Sequence, residues 1–261
     1  MKFLLQIYIF IVGTIFGSFF NVCIYRIPKN KSISNPPSTC ITCNTRLKPI
    51  DLIPILSYLM SGKKCRYCKR EISPRYAVVE FLTGILFILV YNVHSISLET
   101  IYYLILLSIL VIITFIDIDY YIIPDGIIIF GLVISLILNI TGIGVSIKES
   151  FIGFIICGGG VLVLTNIIKI IVKKEVMGGG DIKLFAMIGF FLGIKGGLIT
   201  IIISVYVGTI YSLGTILYSK LNNKEYKSMI PYGPFISIGA VIALLYGNNI
   251  LNWYFSLFIW K

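Results

Sequence analysis

Charge is what this chain has least of: 13% of its 261 residues are Asp, Glu, Lys or Arg, where a soluble domain carries about a quarter. With 57% hydrophobic residues and a mean hydropathy of +0.97, this scarcity excludes an ordinary soluble protein. Histidine occurs once, at His94 in a predicted outer loop away from the polar inner segments, which leaves no place for a serine–histidine triad or a histidine-rich catalytic zinc site. Neither GxGxxG nor GxxxxGK followed by Ser or Thr occurs, so no phosphate-cradling loop is in view. Acidic residues number only eleven, and their rarity makes their positions informative.

What is present is a series of apolar runs of membrane-spanning length, about 20 residues for a helix. They begin at Phe3, Tyr76, Ile101, Ile122, Ile152, Ile182, Gly197 and Pro231; the sixth is short and the last is interrupted around Gly247 to Asn249. The chain therefore reads as an all-α polytopic membrane protein of about eight transmembrane helices. The first run lacks a small-x-small cleavage pattern and is followed by Arg26, Lys29 and Lys31, so it reads as an uncleaved helix. The net charge of +11 follows from the positive-inside bias and needs no nucleic-acid partner. With the loop Arg26 to Arg75 inside, eighteen of the twenty-two basic residues fall on the cytoplasmic side. Lys2, Lys148, Lys195 and Lys261 lie outside, as do both termini. The inner loops are then Arg26 to Arg75, Asp117 to Asp125, Lys169 to Lys183 and Lys220 to Lys227.

The loop 26–75 is the one long polar segment, a small domain inserted after helix one. Within it Asp51 to Met60 is apolar but too short to span, and is expected to pack against the membrane or under the cysteines. Cys40 and Cys43, then Cys65 and Cys68, form two CxxC pairs with 21 residues between them. Two such pairs complete the tetrahedral sulfur shell of a zinc ion with no open position, a structural site. A loop of this size has little core of its own, so a metal crosslink supplies what burial cannot. Two disulfides are the alternative, disfavoured in a reducing compartment. Cys23 and Cys157 lie in apolar runs and read as buried small hydrophobes.

Among the acidic residues, Asp51, Glu71, Glu99, Glu149, Glu175 and Glu225 read as loop charges. Glu80, Asp117, Asp119, Asp125 and Asp181 lie at helix ends or within a span, where ionisable groups are costly and usually functional. Asp117 ends the third span and Asp181 opens the sixth, both at the cytoplasmic face. Two carboxylates in contact share one proton, so that one activates water while the other protonates a scissile carbonyl. Gly178, Gly179 and Gly180 precede Asp181; they permit positive φ and let an extended substrate backbone approach, although a plain loop also uses glycine. Asp119 reads as solvated, Asp125 as a helix cap, and Glu80 as either a satisfied or a functional buried carboxylate. His94 falls in an outer loop, and Tyr102-Tyr103 and Trp253-Tyr254 read as interfacial aromatics.

Six blocks now add up: GSFFNVCIYRIP (17–28), the two CxxC pairs, GKKCRYCKREISPRYAVVEFLTG (62–84), FIDIDYYIIPD (115–125), MGGGDIKLFAMIG (177–189) and IPYGPFISIG (230–239). In this order they resemble the bacterial type IV prepilin peptidases. The resemblance implies a GxGD aspartic peptidase, with Asp117 and Asp181 matching the catalytic pair. It cleaves the basic leader of prepilins or pseudopilins, after a glycine, at the cytoplasmic face of the inner membrane, in the service of type IV pili or protein secretion. It also implies N-methylation of the new N-terminal residue from S-adenosylmethionine, linked to residues 1–95, with 96–261 as the peptidase domain; Glu80 is the candidate for the methyl-donor site. Ile41 departs from the family's usual proline, and Gly179 fills the variable position of GxGD. The rival readings are a proton-coupled transporter using the intramembrane aspartates and a zinc adaptor without catalysis.

Overall fold

The computed structural model describes residues 2–222 and 230–259; Lys224, Glu225 and Lys227 of the last inner loop, and Lys261, lie outside them. Among the described residues every regular element is helical. Two compact units divide the chain, residues 1–100 and 101–261.

In the first unit, α1 (Lys2–Arg26) and α3 (Arg75–His94) run antiparallel. The register is fixed by polar ties at both ends: Gln6 Nε2 donates to Asn92 Oδ1 at 2.8 Å, and Asn21 Nδ2 donates to the Tyr76 carbonyl at 3.1 Å. Between them, Gly13 faces Gly84 and Gly17 faces Glu80, so close that a Cβ on Gly17 would lie 2.7 Å from the Glu80 Cα. Lipid gives helices no hydrophobic reason to associate, and close packing of small residues replaces it. The loop between these helices holds two short turns of helix, Pro49–Leu52 and α2 (Leu56–Met60). His94 is the last residue of α3 and not part of a loop.

The second unit is built from α4 (Leu98–Tyr120), which begins just before it, α5 (Asp125–Ile140), α6 (Ile147–Phe154), α7 (Gly160–Val172), α8 (Gly179–Leu221) and α9 (Gly233–Ile259). A π-helical turn, Ile155–Gly159, joins α6 to α7, so that 147–172 forms one membrane helix. Among the described residues six helices are long and apolar enough to cross a bilayer. The apolar runs number eight, and two features explain the difference: α5 has only 16 residues, and the runs from Ile182 and Gly197 both fall in α8. That 43-residue stretch is not straight, because Gly193 takes φ +66° and ψ −174°. A Cβ on Gly197 would lie 3.1 Å from the Gly189 Cα, whereas eight residues of continuous helix rise about 12 Å. The chain therefore reverses at Gly193, and 179–192 and 194–221 lie side by side as a helical hairpin. The Tyr102 hydroxyl donates to the Phe191 carbonyl at 3.0 Å beside the reversal. Ser135, Asn139 and Ser150 continue this buried polar chain.

Candidate active site and candidate metal centre

Asp117 lies in the last turn of α4 and is buried. Its Oδ2 accepts the backbone N–H of Gly233, the first residue of α9, at 2.7 Å. A Cβ at position 233 would stand 2.9 Å from that oxygen, so only glycine brings its backbone this close. α4 stops because Tyr121 turns into the left-handed region at φ 55°, with its N–H on the Asp117 carbonyl.

Asp181 is the third residue of α8, and its backbone N–H donates to the Gly178 carbonyl at 3.1 Å. The two carboxylates are close enough that the charge on Asp117 acts on Asp181. Tyr232, next to Gly233, also lies within electrostatic reach of Asp181. The segments bearing the two aspartates are tied together twice more. Ile123 packs on Gly180, where a Cβ would meet it at 3.0 Å, and Lys183 Nζ pairs with Asp125 at 2.7 Å.

Two expectations change here. None of Gly178, Gly179 and Gly180 takes positive φ; Gly180 is needed for the Ile123 contact, and Gly179 faces open space. Asp125 does not cap α5 through its side chain: Pro124 holds the N-cap position, and the Asp125 carboxylate reaches Lys183 instead. Asp119 is exposed, in line with a solvated position.

In the first unit Glu80 is buried in α3. Its Oε2 accepts the Ile55 N–H at 2.7 Å, and Ser18 of α1 supplies a further hydrogen bond. Ile55 has φ 61° and ψ −51°, and the Leu56 N–H closes on the Pro54 carbonyl. This is a tight γ-turn centred on a β-branched residue, a conformation rare and strained enough to need support. Glu80 supplies it, and thereby joins the segment 51–60 to the membrane helix.

The four cysteines sit in two turns of the same design, 25 positions apart. Cys40 N–H donates to the Thr45 carbonyl at 3.0 Å and Cys65 N–H to the Arg70 carbonyl at 2.7 Å. Asn44 and Lys69 each donate back to the first cysteine of their pair, at 2.8 and 2.9 Å, and both are left-handed, φ 55° and 59°. Single antiparallel bridges, Thr39 to Arg46 and Lys64 to Glu71, close the two turns. The four Sγ atoms lie within 4.8 Å of one another, and Cys40 Sγ is 3.9 Å from Cys68 Sγ. A tetrahedral site with metal–sulfur bonds of about 2.3 Å has sulfur–sulfur edges of about 3.8 Å, so this cluster can hold a metal ion. Thr45, through its side chain and backbone, hydrogen-bonds Cys43 and lowers that thiol to about 6, whereas Cys68 is raised to about 11; the thiols differ, and the sulfur geometry is what fits a metal. Asp51 is more than a loop charge: it accepts from the Lys48 N–H and the Tyr67 hydroxyl, and pairs with Arg66 at 3.3 Å. It thus binds 48–51 to the second cysteine turn. Cys23 and Cys157 are buried.

Comparison with known proteins follows the same two units. Residues 11–94 match the bacterial peptidase A24 N-terminal domain and residues 104–213 the type IV leader peptidase family. The prepilin leader peptidase/N-methyltransferase of Bacillus subtilis is 35% identical over 249 residues, which cover 95% of this chain and 97% of that protein. The chain belongs to the type IV leader peptidase family. Proteins of the same name from Aeromonas salmonicida and Pseudomonas aeruginosa are 33% and 32% identical, over 95% and 94% of this chain and 93% and 91% of their own. No solved structure matches significantly. In this leader peptidase chain the sequence alone assigns no role to the Gly233 donor, Tyr232 or the Lys183–Asp125 pair; their only signal is that they fall in the blocks 230–239, 177–189 and 115–125.

Proposed function

We propose that this protein is a membrane aspartic endopeptidase that removes the basic leader of type IV prepilins or pseudopilins, with Asp117 and Asp181 as its catalytic pair. The observation that carries the reading is that these two carboxylates, 64 positions apart in sequence, lie within electrostatic reach of each other. With one proton between them, one carboxylate takes a proton from water while the other donates to the scissile carbonyl oxygen, and the roles reverse as the amine leaves. The Gly233 N–H holds Asp117 in one orientation throughout. Gly178 to Gly180 offer the substrate backbone a path beside Asp181, and Gly179 leaves that path open. The bilayer is the cytoplasmic membrane, with the loop 26–75 and both aspartates on the cytoplasmic side and both termini outside.

The second activity is N-methylation of the residue that cleavage exposes, with S-adenosylmethionine as methyl donor, following the name of the relatives. Residues 1–95 carry it and residues 96–261 carry proteolysis; Glu80 is the candidate for the donor site. Zinc is the metal of Cys40, Cys43, Cys65 and Cys68, where it would supply a structural crosslink. The test is a synthetic prepilin incubated with the purified protein, with and without S-adenosylmethionine. Wild type is expected to release the leader in both cases and to methylate only with the donor. Intact prepilin after exposure to folded protein would contradict the reading.

A further inference from the structure

Between α2 and the first half of α3 runs a groove of about 610 Å³, within the range of ligand sites. Its walls are apolar, among them Ile55, Leu59, Val78, Phe81 and Leu82, and its charged side chain is Lys63. α3 is a membrane-spanning helix, and Val78, Phe81 and Leu82 are all exposed along it. From Val78 to Ile85, which also lines the groove, a helix rises about 10 Å. The groove thus begins at the membrane face, beside Lys63 and Pro74, and descends toward the hydrocarbon.

The loop that supplies Lys63 is strongly basic. Residues 26–75 hold eleven basic residues against two acidic ones, and Asp51 is already engaged by Arg66 and Tyr67. Lys63 is exposed and makes no ion pair among the described residues. Left to water, such a groove would keep a large apolar surface wet at the edge of a bilayer. A basic segment beside a membrane span attracts anionic headgroups, at about 1 kcal/mol per lysine or arginine near the surface.

We propose that this groove is a binding site for one anionic phospholipid, with an acyl chain along Val78, Phe81 and Leu82 and the phosphate on Lys63. The Ile55 turn forms part of the wall, so the bound lipid packs on the same strained turn that Glu80 supports. The groove is lined by residues of the first unit and does not depend on the catalytic reading.

The full chain, delipidated in mild detergent, is titrated with phosphatidylglycerol and with phosphatidylcholine of matched acyl chains, and bound lipid is counted by native mass spectrometry. Glycerol phosphate serves as a headgroup-only competitor. Wild type is expected to bind one phosphatidylglycerol more tightly than phosphatidylcholine. Lys63→Gln should weaken phosphatidylglycerol about fivefold and leave phosphatidylcholine unchanged. Val78→Trp, at an exposed position, should fill the groove and weaken both lipids. Helical circular dichroism establishes that each variant is folded, and since binding is read without turnover, an inactive peptidase does not alter the outcome. Equal affinity of wild type and both variants for phosphatidylglycerol would overturn the proposal. So would displacement of the lipid by glycerol phosphate alone, or by a cleaved pilin peptide that occupies the groove in its place.

Discussion

Asp117 depends on a backbone donor at the far end of the sequence, and that dependence can be measured. Gly233→Ala puts a methyl group 2.9 Å from the carboxylate oxygen and displaces it while keeping the N–H. A misplacement of about 1 Å costs about 100-fold in rate, so kcat should fall by that order in protein with unchanged circular dichroism. Asp125→Asn removes only an exposed ion pair, a contact of about 1 kcal/mol or less; cleavage should fall by no more than about fivefold. Asp117 and Asp181 were legible in the sequence because acidic residues are scarce and these two close or open spans. Gly233 was not, because a backbone N–H is identical at every position and only the fold aims it. Asp125 and Asp51 were misjudged for a related reason: their partners, Lys183 and Arg66, are reached through tertiary contact.

The apolar runs located the membrane elements, but hydropathy says nothing about how two runs are joined. The reversal in α8 rests on the single residue Gly193 at φ +66° and ψ −174°, a region essentially reserved for glycine that costs other residues about 1–3 kcal/mol. Gly193→Ala should therefore lower the unfolding midpoint in detergent. The cysteine turns were half legible. Their CxxC spacing predicted a shared metal, whereas their common backbone design is hidden, since the residues around the two pairs otherwise differ. Ser in place of any one of the four cysteines should reduce zinc from about one ion per chain to near zero, as read by elemental analysis of purified protein. A transporter would place its carboxylates at the break of a discontinuous helix near the bilayer midplane. Here the break is at Gly193 and Asp181 is twelve residues away, at the start of the helix.

The sulfur cluster and Glu80 lie in residues 1–100, and the two aspartates lie in 101–261. That separation predicts separable activities. An Asp181→Asn protein given precleaved pilin should still incorporate radiolabelled methyl groups, and loss of incorporation there, with normal transfer by wild type, would mean that the two centres are coupled. The shared-proton pair is put to the test by cleavage of a synthetic prepilin with wild type, Asp117→Asn and Asp181→Asn. Each substitution preserves shape and removes one carboxylate, so both variants should insert, keep their helical spectrum and show no leader release. Near wild-type cleavage by either folded variant would contradict the account.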